Sequence, residues 1–486
     1  MCIRDTYNIK MSMDQERTFQ EDLSETPSVL RYSDLLKVGS PLANMQYHTL
    51  IPSNGQSYGP DQQIRIPFNV PTDSFVNFKG AYLKFRITNG NQATDDLALD
   101  GEAGCAAVID TFRVVNSVGS VLEEIVHYNS AYALMNGMVS DNHRQSSMAI
   151  TEGTSKTPLS NVAVGEATGF AALPTDRVII SKGGSFTGTH YPMSGFMGGS
   201  DRLCPLGFQN GVASLELTLA SLNTPFITKT TTTSTSFNWT IDNVELHIPV
   251  LTMGPEFNAS FRQVLSAGIP INWASTSYHN VQSSLPSAVG NVTITTASRK
   301  RSVKSIFSMF RKATDVTNLK VDSVSCRRSL DATQYHYTIG GQRMPSKPIA
   351  IAGAGVRGAI TDGSQRDIGE VYSNLMMSLS NLGNIYSASC FTPDNFFTPD
   401  NNTNGTGTKN IGCRVAYALD LESYPHSNVQ SGMSLANQGL PIVFEITTNT
   451  GASNAGSSSP ILMDQFLLYD VIYSLDGVSG TIVANA

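Results

Sequence analysis

The chain has 486 residues, of which 40% are apolar and only 15% charged, and it is longer than the roughly 200–250 residues that one β-sandwich or barrel core usually holds. Its richness in Ser, Thr, Asn and Gly suits short strands joined by many turns and excludes a mainly helical protein built on Ala, Glu, Lys and Leu. A net charge of −7 gives no overall attraction for nucleic acid, so any such contact must be local.

Residues 1–40 are polar and irregular and read as an N-terminal arm that orders on packing against a neighbour. The start lacks an apolar export segment, and no window reaches the ~18 apolar residues of a membrane helix. Synthesis inside the cell is therefore expected. A first domain over 41–255 opens with Gln63–Val70 and Phe75–Thr88, where apolar and polar residues alternate as in half-buried strands. Val108–Val126 reads as two strands around a turn at 117–120, and Tyr128–Met138 as a short helix. Residues 139–200 carry little pattern and are expected to form a surface excursion. Strands resume at Ser214–Ala220 and Phe237–Leu251, before Gly254-Pro255 punctuates the chain.

The second domain, 256–486, repeats the style. Ile269–Tyr278, Val292–Thr296, Val303–Phe310 and Gln334–Ile339 read as strands, and Pro345/Pro348 as a turn. Asp367 is placed to cap a helix that carries Ile368, Val371, Tyr372, Leu375, Leu379 and Leu382 on one face. Residues 393–410 read as a loop, followed by strands at Cys413–Leu421, Pro441–Thr448, Met463–Leu475 and Thr481–Ala484. Both halves thus run strands, helix, long loop and strands. The predicted fold class is all-β: two consecutive eight-stranded jelly-roll β-sandwiches with short helices in the connecting loops.

Motifs for chemistry are sparse. Gly353-Ala354-Gly355-Val356-Arg357-Gly358 matches a dinucleotide loop, but no helix starts on its second glycine and β/α alternation is missing. Eight histidines and six cysteines lie too far apart for a metal motif, so no cofactor or metal is expected and the thiols read as buried and free. Asp420 and Glu422 would share a strand face and are the candidates for a jelly-roll glycoside hydrolase. Glu123 and Glu124 would point to opposite faces. A carbohydrate-binding sandwich would need exposed aromatics, and the chain has two tryptophans, Trp239 and Trp273. Arg299, Lys300, Arg301, Lys304, Arg311 and Lys312 concentrate positive charge in an acidic chain. They offer a local contact to nucleic acid, a nuclear import signal, or a charge-guarded strand edge.

The order of several segments carries a family resemblance. Phe75–Thr88, Val108–Val126 and Tyr128/Tyr132 resemble the opening of the first roll in double jelly-roll major capsid proteins of the virophage, Polinton-like virus and adintovirus type. Tyr335–Ile349 is similar to a strand, glycine turn and proline sequel of their second roll. The closing series Ala416–Ser423, Ser431-Gly432, Pro441–Thr448 and Gln465–Tyr473 resembles that family's C-terminal run. The resemblance implies a structural protein rather than an enzyme, with two upright rolls per chain and homotrimeric, pseudo-hexagonal capsomers tiling an icosahedral shell around a DNA genome. It implies neighbouring capsomers, a penton or vertex protein and minor capsid proteins as partners, no small-molecule substrate, and residence in the virion after synthesis in the host cytoplasm.

Overall fold

The computed structural model describes residues 43–90, 96–137, 143, 146–155, 177–228, 237–286, 290–316, 318–319, 322–325, 327–330, 332–351, 368–379, 396–397, 414–423, 431–436, 441–448 and 460–485. No helix among them is long and apolar enough to cross a membrane. The arm at 1–40, the 353–358 glycine loop and Asp367 lie outside the described residues.

The first half folds on β1 (Ala43–Leu50), β2 (Ser57–Tyr58), β3 (Gln63–Pro67), β4 (Ser74–Val76), β5 (Tyr82–Asn89), β6 (Leu97–Leu99), β7 (Ile109–Val115) and β8 (Val121–Val126). Helices α1 (Tyr128–Asn136) and α2 (Ser147–Thr151) follow, then β9 (Ile179–Ile180), β10 (Ser185–His190), β11 (Ser214–Leu219), β12 (Phe226–Ile227) and β13 (Trp239–Met253). One sheet has the order β1-β13-β5-β10, and the facing sheet β3-β11-β7-β8. Strict alternation makes this possible. On β5, Leu83, Phe85 and Ile87 point inward while Lys84 and Arg86 meet Glu245 and Asp242 of β13 outside. The order of the eight strands is that of a jelly roll.

Helix α3 (Pro255–Ser266) links the halves. Gly254-Pro255, read from sequence as punctuation, is a helix start, because proline at the first helical position lacks only an N–H that would have no partner there. The second half comprises β14 (Ile271–Leu285), β15 (Asn291–Thr296), β16 (Val303–Lys312), α4 (Ala313–Val316), β17 (Ala332–Ile339), β18 (Gln342–Ala350) and α5 (Gly369–Ser378). It ends with β19 (Tyr417–Asp420), β20 (Ile442–Thr448), β21 (Ile461–Leu475) and β22 (Ile482–Asn485). Its sheets are β14-β21-β16-β19 and β15-β20-β17-β18, the strand order of the first half over again. Between these sheets Tyr335, Tyr337, Tyr417 and Phe444 form a buried aromatic cluster. The tyrosine hydroxyls find backbone acceptors, Tyr337 on Tyr417 O at 2.8 Å and Tyr417 on Ser329 O at 2.6 Å.

Two segments depart from the sequence reading. The region 139–200 is not all surface, since it contributes β10 to the first roll and buries Ile180, Phe196 and Met197. Pro345 and Pro348 lie within strand β18, at a sheet edge where a missing N–H costs no ladder bond.

Candidate functional site at the seam between the two rolls

In each roll the connections alternate between two ends. The longest two, after β8 and β18, leave from the same end as those before β7 and β17, and side chains from both rolls meet there. Arg177 of the first roll donates to both carboxylate oxygens of Asp322 of the second, at 2.9 and 2.6 Å. Glu102 pairs with Arg414 at 2.6 Å, and Ser325 donates to Asp100 at 2.7 Å. Asp100 also accepts the N–H groups of Glu102 and Ala103, each at 2.9 Å. All these side chains are buried. Burial, with Asp100 and Glu102 nearby, pushes Asp322 up to about 6 against the opposing pull of Arg177. Such a set of charges is stable only while complete, because a buried ion that loses its partner keeps its full desolvation cost.

Further along, β8 lies against β14 and β22. His127, in the left-handed conformation just after β8, contacts Asp110 of its own roll at 3.1 Å and Asp464 of the other at 3.8 Å. Asp464 in turn holds Arg311 at 2.5 and 2.9 Å. Burial lowers the His127 pKa, but the Asp110 hydrogen bond and the Asp464 charge outweigh it, so the net shift is upward. Asp110, opposed by its own burial, is held below the usual range by His127.

At mid-seam the buried Glu123 carboxylate accepts four donors: the hydroxyls of Ser194 and Ser277, Gly195 N–H at 2.7 Å and Phe196 N–H at 3.1 Å. Ser277 belongs to the second roll. Ser275 adds a bond to Gly195 O at 2.6 Å, and Phe196 meets the Tyr473 ring edge-on at 5.2 Å. Burial raises the Glu123 pKa despite the donors. Glu124 points outward toward Arg113, as strand alternation requires. At the far end Asn116 donates to Ile482 O at 2.9 Å, and Asn210 N–H to Gly480 O at 2.6 Å. The seam therefore runs the length of both rolls and holds them side by side, long-loop ends together.

The residues singled out from sequence have other settings. The six basic residues do not form one patch. Lys304 is buried between Glu422 and Asp470, at 3.4 and 3.2 Å, and Arg311 is buried on Asp464. Lys300 lies 4.0 Å over the Tyr469 ring, Lys312 is half-buried, and Arg299 and Arg301 are exposed. Nor do they guard a sheet edge, since β16 lies between β21 and β19. Glu422 is committed to Lys304 and to Ser431 at 3.1 Å, and Asp420 accepts the Glu422 N–H at 3.0 Å. An open cleft of about 420 Å³ beside the seam is lined by Phe78, Tyr191, Met193, Thr276 and Tyr278 among others, and by no carboxylate. Trp239 and Trp273 are both buried, which removes them as sugar-stacking platforms. Cys105 and Cys204 are buried free thiols. Glu123, Asp322 and Asp464 carry no local motif, and only their distant partners reveal them.

Two eight-stranded rolls of identical strand order, joined along one polar seam, define a double jelly-roll protein. The solved structures it resembles are viral major capsid proteins and capsids. The PBCV-1 virus capsid matches with a TM-score of 0.56 at 10% identity, over 92% of this chain and 98% of that one. The Faustovirus major capsid protein matches at 0.54 and 9% identity, over 89% and 91% of the two chains. The mavirus major capsid protein matches at 0.50 and 11% identity, over 95% of each. No family model and no curated protein matches the sequence. The likeness is one of fold, in which both rolls take part.

Proposed function

We propose that the chain is the major capsid protein of an icosahedral DNA virus or virus-like element, acting by association rather than catalysis. The observation that carries this reading is the parallel alignment of two jelly rolls along one buried seam, over nearly the whole length of major capsid proteins of the same fold. Two rolls per chain give three identical chains six similar walls, so a cyclic homotrimer would make a pseudo-hexagonal capsomer. On this reading residues 41–255 and 256–486 are the two rolls, the long-loop ends face outward, and the 1–40 arm reaches neighbouring chains. Adjacent capsomers, a penton protein and minor capsid proteins would be the partners. A local contact with packaged DNA falls to Arg299 and Arg301, the exposed members of the basic run, in the short connection between β15 and β16 at the opposite end.

The test is the mass of the purified full chain in solution, with negative-stain imaging. Trimers and hexagonally packed particles are the expected result. A persistent monomer with no trimers or shells under any salt condition refutes the reading.

A further inference from the structure

The seam within the chain has a direction, and it leaves two equivalent surfaces bare. Inside the chain β8, an outer strand of its four-stranded sheet, packs against β14, the outer neighbour of β21. The contact is made by side chains and not by strand pairing, for the sheets on either side stay separate. In it Ser277 on β14 donates to Glu123 on β8, and Trp273, Ser275 and Ser277, on one face of β14, are buried. In the second roll the place of β8 is taken by β18, also the outer strand of its sheet; in the first roll the place of β14 is taken by β1, the outer neighbour of β13. Among the described residues neither has a roll against it. On β1, Met45 is 54% exposed and Tyr47 70%, at positions that alternate onto one strand face. On β18, Gln342, Arg343, Ser346 and Lys347 are exposed. Large apolar side chains bared on an edge strand mark a surface meant to be covered. Pro345 and Pro348 keep β18 from adding a strand, which leaves side-chain packing of the kind the internal seam already uses.

The geometry points to a second copy of this chain as the occupant: β18 of one chain seats on the Met45/Tyr47 face of β1 in the next, repeating between chains the contact that β8 makes with β14 within one. This rests on the capsomer reading above and names the surfaces that close it. The contact is head-to-tail, each chain offering one half of each kind, and on the capsomer reading six such steps of about 60° close a ring of six rolls with three chains.

The experiment uses the full chain with photoreactive benzoylphenylalanine in place of Tyr47. Irradiation should give two- and three-chain products, with the adduct on residues 342–348 of another copy. Adducts on the chain's own residues 1–42, adducts elsewhere, or no interchain product from an assembled trimer overturn the assignment. In parallel, Met45→Asp with Tyr47→Asp should raise the concentration for half-assembly at least tenfold, which is a hundredfold in the trimer association constant or about 2.7 kcal/mol per trimer, with an unchanged far-ultraviolet circular dichroism spectrum. A wild-type trimer that the double substitution leaves intact overturns the surface alone. A wild-type chain that is monomeric at every concentration overturns the capsomer reading with it.

Discussion

The Glu123 carboxylate on β8 of the first roll accepts the hydroxyl of Ser277 on β14 of the second, and through it one side chain fixes the spacing of the two sandwiches. The same carboxylate gathers Ser194, Gly195 and Phe196 from the connection after β10. Ser277→Ala removes one of four donors and should cost about 1–2 kcal/mol, whereas Glu123→Ala strands buried N–H groups at about 1–3 kcal/mol each. Denaturant midpoints of the two variants provide the comparison. Equal losses would mean that Glu123 does not organise the seam.

Arg177 and Asp322 form a bidentate pair across the seam in which both side chains are buried. Breaking such a pair from one side leaves an uncompensated buried charge and should cost about 3–5 kcal/mol, while replacing both members with apolar residues costs much less. Arg177→Met and Asp322→Leu should each therefore lower the unfolding midpoint more than the double substitution does. Additive losses in a double-mutant cycle would contradict the coupling.

The overall plan was legible in the sequence and the seam was not, for a physical reason. Strand alternation is local, so Tyr82–Asn89, Ser214–Leu219 and Ile442–Thr448 announce themselves. The Ser185–His190 strand is not legible in the sequence because SFTGTH shows little apolar alternation, and its place is set by pairing with β5. Helix α3 has no clear sequence signature, because it buries no apolar face, with Phe257 and Val264 exposed, and because a Gly-Pro pair breaks one element as readily as it starts another. The basic run at 299–312 looked like one feature since its members are neighbours in sequence. The carboxylates that neutralise Lys304 and Arg311 come from Glu422, Asp470 and Asp464 on other stretches of chain, and sequence spacing does not encode that pairing.

Two glycines at the seam are there because nothing larger fits. A Cβ on Gly195 would lie 2.3 Å from the Thr276 carbonyl oxygen, and one on Gly199 would lie 2.2 Å from Ser275 Oγ. The first obstacle is backbone of the other roll and cannot rotate away, so Gly195→Ala must push the rolls apart and should cost more than Gly199→Ala. Gly369→Ala at the start of α5, where a Cβ meets nothing within 4 Å, should be neutral or slightly stabilising. Limited proteolysis together with thermal midpoints ranks the three, and a Gly195→Ala protein as resistant as wild type would refute the close approach.

The His127 contacts make seam stability depend on pH. His127 binds its proton more tightly in the folded chain than its ordinary value of 6.5 implies. Its stabilisation is therefore complete below about pH 6.5 and is lost as pH rises through the higher folded value. Asp110 has the opposite sign, with its folded value below 3.8, so its contribution is present above pH 3.8 and disappears on acidification through the folded value. The pair is thus most effective in mildly acidic solution. The stability difference between wild type and His127→Gln should be largest near pH 5–6 and should shrink steadily toward pH 9, which parallel denaturation series at fixed ionic strength can measure. A difference that stays constant across that range would mean that His127 acts through its shape and hydrogen bonds alone, without its charge.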